Sequence, residues 1–513
     1  MIPPLSLEIA VVIFGVLILL FEAFAEKIDK RAFAIAGVIG LSGVLLCSFF
    51  LSPMEPALHR AAFWNFYTAD ALAIFFKRFA LVTTIFVLVM SIDYTPVLRG
   101  SIPGLHPQSG LGEFFALPIF TCAGLMWMAS AIDFVMIFVS LELVTISFYV
   151  LVSFTRRNAT TLEAGVKYLI LSALSTGFLV YGITWLFGVT GETNLDRIGA
   201  ALAQPGIETV PALFGIALVL VALGFKIAAA PFQIWVPDVY QGAPTPVTAF
   251  LSVGSKAAGF VVLLRVLRPF LMLPQVEKLL IGMAMLTLLY GNLAALPQSN
   301  LKRLLAYSSI AHTGYLLIGI TAFSGTAVTF YLVAYLLMTL LCFSVLIVVA
   351  NHTGEQLEDF DGLGKRSPFL AFAMLIGMIS LAGVPFTAGF FAKLLIFDAA
   401  IQQHQTALVV IGVITVACGF YYYLKIVRAM YWHSPVSMAA IPVSALSQVA
   451  MIALMVGIFW LGIYPKPILE ALRVPPQTLA AKTPWWFDFV NRSARRSSRQ
   501  DRRSAASSRV AAS

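Results

Sequence analysis

The sequence predicts an all-α polytopic membrane protein with about fourteen transmembrane helices. Three observations carry this. Of 513 residues, 60% are hydrophobic and only 11% are charged, against about 25% charged in a soluble globular chain. The mean hydropathy is +0.92. The apolar residues come in long unbroken runs rather than in alternation, which selects helices over a membrane β-barrel.

A span needs roughly 20 apolar residues. The runs place the first three spans at 5–25, 33–51 and 72–92. No Lys or Arg precedes the first, and Glu8 and Glu22 lie in or beside it, so it reads as a resident span and not a cleavable signal. Five more follow at 113–131, 133–154, 162–189, 210–235 and 247–268, then five at 276–296, 303–324, 327–350, 368–397 and 407–430, and a last one at 443–465. The seventh and twelfth carry internal prolines, Pro231 and Pro385, which break a helix. Two broken spans five helices apart predict two five-helix repeats, helices 4–8 and 9–13, around a functional midplane. The expected organisation is helices 1–3 in 1–112, a first repeat in 113–268, a second in 276–430, the last helix in 443–468 and a basic tail in 482–513. The tail is rich in Ser, Arg and Ala and reads as disordered. It reads as solvated and touching lipid headgroups rather than nucleic acid. Trp485 and Trp486 before it read as an interfacial anchor.

The distribution of loop charge sets orientation. Lys27, Lys30, Arg31, Arg99, Arg156, Arg157, Lys302, Arg303, Lys365 and Arg366 fall in alternate loops, and Lys425 and Arg428 at a helix end. These are assigned to the cytoplasmic side. Arg60, Arg197, Arg265 and Arg268 fall in the opposite loops, with Lys77 and Arg78 able to snorkel. An even helix number then puts both termini on the non-cytoplasmic side.

Cys47, Cys122, Cys342 and Cys418 are scattered in apolar runs with no iron–sulfur or zinc spacing. The GLG triplets at 110–112 and 362–364 lack the third glycine and the βαβ setting of a dinucleotide site. Neither a cofactor nor a metal site is expected in this chain, and any redox chemistry is expected on partners.

The charges inside the spans carry the functional signal, because a charge at the bilayer centre costs roughly 3 kcal/mol even on insertion scales. Glu142, in FVSLELVTISFYV, and Lys256, in FLSVGSKAAGF, each lie nine residues into their spans, at a depth of about 14 Å. Lys226 and Lys393 (AGFFAKLLIF) sit in the two proline-broken spans. Lys167 is closer to a helix end, where a lone lysine commonly snorkels. His312, in AYSSIAHTGYLLIG, has hydroxyl neighbours that would also suit a plain core histidine. Burial disfavours an ammonium and a nearby carboxylate favours it, so a moving partner toggles a lysine between holding and releasing a proton. Ser172, Ser175, Ser252, Ser255, Tyr307, Ser308 and Ser309 offer hydroxyls to order water between such groups. Backbone unwound at Pro231 is tolerated at membrane depth where it lines a hydrated cavity, which gives Lys226 its reason to be there.

The blocks GEFFALPIFTCAG (112–124), DFVMIFVSLELVTISFYVL (133–151), EAGVKYLILSALSTGFLVYG (163–182), GFKIAAAPFQIWVPDVYQGAPTPVTAFLSVGSKAAGF (224–260), GNLAALPQSNLKRLLAYSSIAHTGYLLIG (291–319), SLAGVPFTAGFFAKLLIF (380–397) and YYYLKIVRAMY (421–431) carry a family resemblance. Over roughly residues 5–468 the chain resembles the antiporter-like membrane subunits of respiratory complex I, in their N branch. The resemblance implies a proton-translocating subunit of a bacterial NADH:quinone oxidoreductase in the cell inner membrane. FMN and iron–sulfur clusters would be carried by other chains. Subunit M and small membrane subunits would be neighbours. It implies that Glu142 pairs with Lys226, and that Lys167, Lys256, Lys393 and His312 complete the proton path. Subunit M has a glutamate where Lys393 stands. Two departures stand out. Gln233 replaces a histidine that titrates, and Phe386 replaces a second proline whose loss is expected to be silent. Two other readings remain: a subunit of a multisubunit sodium/proton antiporter, and a structural spacer whose path has lapsed.

Overall fold

In the computed structural model, residues 5–24, 28–51, 53, 65–101, 111–270, 273–435 and 438–471 are described. The expected tail and the Trp485–Trp486 anchor lie outside them. Thirteen helices are long and apolar enough to cross a membrane. We number them α1 (Ser6–Phe24), α2 (Arg31–Ser48), α3 (Ala71–Asp93), α4 (Leu111–Ser130), α5 (Phe134–Val152), α6 (Ala159–Thr190), α7 (Thr209–Ile227), α8 (Thr245–Phe270), α9 (Pro274–Ala295), α10 (Leu301–Thr321) and α11 (Gly325–Ala350). α12 comes in two halves, Pro368–Ala382 and Ala388–Gln402, and is followed by α13 (Thr406–Trp432) and α14 (Ala445–Ile463). This is the all-helical membrane architecture the sequence predicts, with the broken twelfth span completing fourteen.

Local chemistry sets the ends. The side chains of Asp70, Asp133, Asn158, Asn300, Ser324 and Ser444 each accept a hydrogen bond from a backbone N–H in the first turn of the helix that follows, which satisfies donors that a helix start leaves free. α7 and α8 differ most from expectation. α7 ends at Ile227 rather than near 235, and a short helix, Val236–Gly242, intervenes before α8. α8 itself contains a π-helical turn at Leu251–Ser255. α6 is 32 residues long, about 48 Å, well beyond a hydrocarbon core of about 30 Å.

α8, α10 and α11 are almost wholly buried, while α1, α2 and α6 turn most of their surface outward. Without a hydrophobic force between helices in lipid, close approach through small residues supplies the packing. Gly291 and Gly314 place the backbones of α9 and α10 in contact. This compact unit comprises Met1–Leu469.

At one end, the residues before α3, between α4 and α5, and after α6 are stitched together. Thr68 N donates to Ser130 O (2.8 Å), Ile132 N to Phe66 O (3.2 Å), Phe134 N to Thr193 O (3.0 Å) and Leu195 N to Ile132 O (3.0 Å). Arg265 joins the same end through a two-pronged contact with Asp70, at 2.8 and 3.1 Å. At the other end, Leu301 N donates to Glu355 O (2.8 Å) and Gly362 N to Ala429 O (3.1 Å).

Candidate functional site

The break after α7 shows how a polar site is held inside an apolar bundle. Ala228 adopts a left-handed conformation, φ 63°, and the Ala230–Pro231 peptide is cis. The unwound backbone groups find partners, as they must away from water. Ala229 N donates to Gly224 O at 2.8 Å. Trp235 Nε1 donates to Phe225 O at 3.1 Å. Ala230 N donates to Thr287 Oγ1 at 2.9 Å. Thr313 Oγ1 donates to Ile227 O at 2.7 Å.

Lys226 therefore sits in the last turn of α7, buried, one residue before a helix end that other helices hold. Its Nζ donates to Thr145 Oγ1 of α5 at 3.1 Å. Glu142 stands three residues earlier on α5, half-buried, and accepts a hydrogen bond from Thr176 Oγ1 of α6 at 2.7 Å. The two expected partners face one region but do not close into an ion pair. Thr145 and Thr176 take their places, two threonines that the sequence reading did not single out.

Lys256 begins the regular helix after the π-helical turn of α8 and is buried. An ammonium has three donors, and all three are used on α10. Nζ meets Ser309 O at 2.8 Å, Thr313 Oγ1 at 3.3 Å, and Ser309 Oγ. Among the described residues, no carboxylate forms an ion pair or hydrogen bond with it. Ser309 Oγ lies 3.4 Å from the hydroxyl of Tyr240, and Ser252, one turn before Lys256, pairs with the Tyr335 hydroxyl at 2.8 Å.

His312 lies one residue before Thr313 on α10. Its Nδ1 is 2.7 Å from the Tyr331 hydroxyl and its Nε2 is 3.1 Å from the Tyr423 hydroxyl. Tyr423 is also bonded to Ser308. A neutral imidazole donates at one nitrogen and accepts at the other, so the ring sits between two hydroxyls that can each take either role.

Lys393, in the second half of α12, reaches back across the break. Its Nζ donates to Leu381 O (2.9 Å) and Ala382 O (2.8 Å), the carbonyls that end the first half. A positive charge at a helix C-terminus also meets the negative end of its dipole. Nζ lies 5.2 Å from the ring centre of Tyr315, whose hydroxyl donates to Thr415 Oγ1 at 3.2 Å. The break itself turns on Gly383 (φ 92°) and Phe386 (φ 68°). Proline is locked near −65°, and Phe386 stands where the resemblance expects a proline. It permits a backbone that proline cannot adopt.

Glu142, Lys226, Lys256, His312 and Lys393 thus lie along one polar line through α5, α7, α8, α10 and α12. Lys167 stands apart. Its side chain is 40% exposed and pairs with Glu163 (2.6 Å) and Asp238 (2.8 Å), and Asp238 also binds Arg303 at 2.8 Å. Of the hydroxyls singled out in the sequence, Ser252, Ser308 and Ser309 join the line, whereas Tyr307 packs on Tyr290 and Ser175 bonds Ala222 O. Thr313, Tyr331 and Tyr423 belong to the line and were not anticipated. The pattern S-S-x-x-H-T puts Ser308 and Ser309 one turn from His312 and Thr313, and that spacing was a usable signal. Gln233 is buried, and its Oε1 has no hydrogen-bond partner. Among the described residues, no group of three or more His, Cys, Asp or Glu side chains could hold a metal ion.

The family model described as NADH:quinone oxidoreductase/Mrp antiporter, TM, matches residues 131–419. The NADH-quinone oxidoreductase subunit N of Chlorobium chlorochromatii is 37% identical over 488 residues, which cover 91% of this chain and 93% of that protein. Among solved structures, a chain of respiratory complex I from Thermus thermophilus with bound aureothin superposes with a TM-score of 0.76 at 31% identity, over 90% of this chain and 98% of that one. A chain of the Mrp complex from Dietzia sp. DQ12-45-1b shares the fold, with a TM-score of 0.76 at 20% identity over 91% of this chain and 95% of that one. With 37% identity over nine-tenths of both chains and the family model matching 131–419, the chain belongs to the NADH-quinone oxidoreductase subunit N family.

Proposed function

We propose that this integral membrane protein is a proton-translocating subunit of a bacterial NADH:quinone oxidoreductase. One observation carries the reading furthest. Three lysines and a histidine are all buried, with Lys226 held by Thr145, Lys256 by Ser309 and Thr313 of α10, and Lys393 by the carbonyls of Leu381 and Ala382, and among the described residues no carboxylate forms an ion pair with any of the three lysines. Such groups are costly in a membrane unless they move charge. A carboxylate that approaches an ammonium stabilises it, and one that withdraws leaves the ion in a low dielectric. Glu142, held on Thr176 within reach of the region around Lys226, is placed to act in that way. Lys226, Lys256 and Lys393 then hold and release the proton, His312 relays it between hydroxyls, and Lys167 with Asp238 and Arg303 lines an approach from the cytoplasmic side.

On this reading α4–α8 (113–268) and α9–α13 (276–430) act as two repeats, each with one broken helix, and both termini face away from the cytoplasm. FMN and iron–sulfur clusters belong to partner chains, and an antiporter-like subunit M and small membrane subunits are its neighbours. The sodium/proton antiporter reading draws on a shared fold at 20% identity, against 37% identity over nine-tenths of both chains for the subunit N relative. A lapsed spacer would have had no reason to keep the charges.

The test is a tagged copy of this chain, purified in mild detergent from its own membranes. Co-purification of flavin- and iron–sulfur-containing chains with NADH oxidation supports the proposal. Co-purification of small antiporter subunits without redox centres overturns it. In vesicles, NADH-driven proton uptake should fall several-fold in the Lys256→Met variant.

A further inference from the structure

We propose that Thr313 is a positioning residue that couples the charge on Lys256 to the helix end carrying Lys226. The inference rests on the proposed role of those lysines and assigns a residue which that role does not include.

Thr313 Oγ1 touches both sides. It donates to Ile227 O at 2.7 Å, the last carbonyl of α7, directly after Lys226. It also accepts from Lys256 Nζ at 3.3 Å. A second acceptor for the hydroxyl is Ser309 O at 3.2 Å. A threonine has a single O–H to give. While Lys256 is an ammonium, its three N–H groups go to Ser309 O, Ser309 Oγ and Thr313 Oγ1, and the Thr313 hydrogen is free to hold Ile227 O.

When Lys256 gives up its proton, the arithmetic changes. The amine keeps two N–H groups and gains a lone pair that needs a donor. The carbonyl of Ser309 cannot donate. The hydroxyl of Thr313 can, but only by leaving Ile227 O. The carbonyl at the end of α7 then loses its partner at a point where the backbone has already turned into the left-handed conformation at Ala228. No bond is broken beyond the proton already lost from Lys256, because the change is a rotation of one hydroxyl. Contact is close on this flank: a Cβ at Gly259, three residues after Lys256, would lie 3.4 Å from Cγ of Lys226.

Other groups around Lys256 also titrate. Lys226 faces it from α7, Tyr240 from the short helix Val236–Gly242, His312 from α10 and Tyr335 from α11. Cys122 lies on α4, and Lys77 with its partner Glu8 on α3 and α1. The experiment must therefore separate the response of Lys256 from theirs. Ser309 is the competing donor, since its hydroxyl can turn instead with Tyr240 behind it.

Amide hydrogen exchange across 228–232, corrected for the intrinsic pH dependence, is measured in the assembled complex for wild type, Lys256→Met, Thr313→Val, Thr313→Ser and Ser309→Ala. The wild type should lose protection by about fivefold as pH rises, the factor that one net hydrogen bond confers. The step should persist in Thr313→Ser and Ser309→Ala and vanish in Lys256→Met and Thr313→Val. A purely structural threonine would change the level of protection in Thr313→Val but leave the step, and that result overturns the proposal. A step lost in Ser309→Ala and kept in Thr313→Val assigns the switch to Ser309 and also overturns it. A wild type without any step overturns it as well. Proton pumping by Lys256→Met then shows where the fault lies. Normal pumping removes the underlying role of Lys256, and lost pumping leaves that role standing while Thr313 drops out.

Discussion

Glu8 of α1 and Lys77 of α3 form a 2.8 Å ion pair in which neither side chain has any exposed surface. The hydroxyl of Tyr67 bridges them, donating to Glu8 Oε1 at 3.1 Å and accepting from Lys77 at 2.5 Å. Breaking one half of such a pair leaves an uncompensated charge and costs about 3–5 kcal/mol, whereas replacing both with apolar residues is often neutral. Glu8→Ala and Lys77→Met should each deplete assembled complex on native gels. The double variant Glu8→Leu/Lys77→Met should recover most of it, with unchanged pumping per NADH. A double variant as poor as either single one would mean the pair does more than close the N-terminal helices.

Glu142 and Lys226 stand differently, each on its own threonine. Removing either leaves the other without its counter-charge, yet Thr176 and Thr145 still hold the survivor. Glu142→Ala and Lys226→Ala should therefore assemble while pumping falls several-fold. The double variant should pump no better. Pumping at the wild-type rate by the assembled double variant in vesicles would remove both from the path.

Lys393 has two tasks that substitution can separate. It ties Leu381 O and Ala382 O across the break, and on the proposed reading it gives up a proton. An arginine can do the first and effectively never the second. Lys393→Arg should assemble and pump poorly, and Lys393→Met should be at least as damaging. A carboxylate at this position would not serve here. An ionised carboxylate only accepts, and it would face two carbonyls at a helix C-terminus. Lys393→Glu should therefore assemble less well than Lys393→Met. Wild-type pumping by the arginine variant would make Lys393 a structural charge.

Gln233 tests whether a buried polar group near the α7 break orders water. Gln233→Leu removes the buried amide while keeping much of its volume. Pumping by that variant should nonetheless fall, while Gln233→His should pump close to wild type. Equal pumping by the leucine variant would show that no polar group is needed there.

The spans were legible because bilayer burial writes long apolar runs into a chain. What those runs hide is where the helix stops being a helix. The run IAAAPFQIW stays apolar through a segment that is not helical, its side chains mostly buried or, like Ile234, turned out of the bundle. Pro231 marked the break, but the helix ends four residues earlier, at Ile227, where Ala228 turns left-handed. Counting depth from a helix start set Lys256 deep, where it is buried, and Lys167 near a span end, where it is exposed. α6 begins at Ala159 and is long enough to overhang the bilayer, so a lysine eight residues in is still among interfacial charges. The Glu8–Lys77 pair was invisible because its partners are 69 positions apart, and Lys77 alone reads as a snorkelling residue. Thr145, Thr176 and Thr313 were missed because an intramembrane threonine usually bonds its own helix, as Thr145 and Thr313 also do, and only the packing reveals which ones meet a second helix as well.

The stitched end of the molecule sets the order in which the chain can be made. The backbone near residue 67 pairs with that near 131, which pairs in turn with that near 194, and Asn194 Nδ2 returns to Asn65 O at 2.8 Å. This seam cannot close until α6 has crossed the bilayer and residue 195 has emerged from the ribosome. Until then the rim stays open, so its closure joins segments that 129 positions of chain separate.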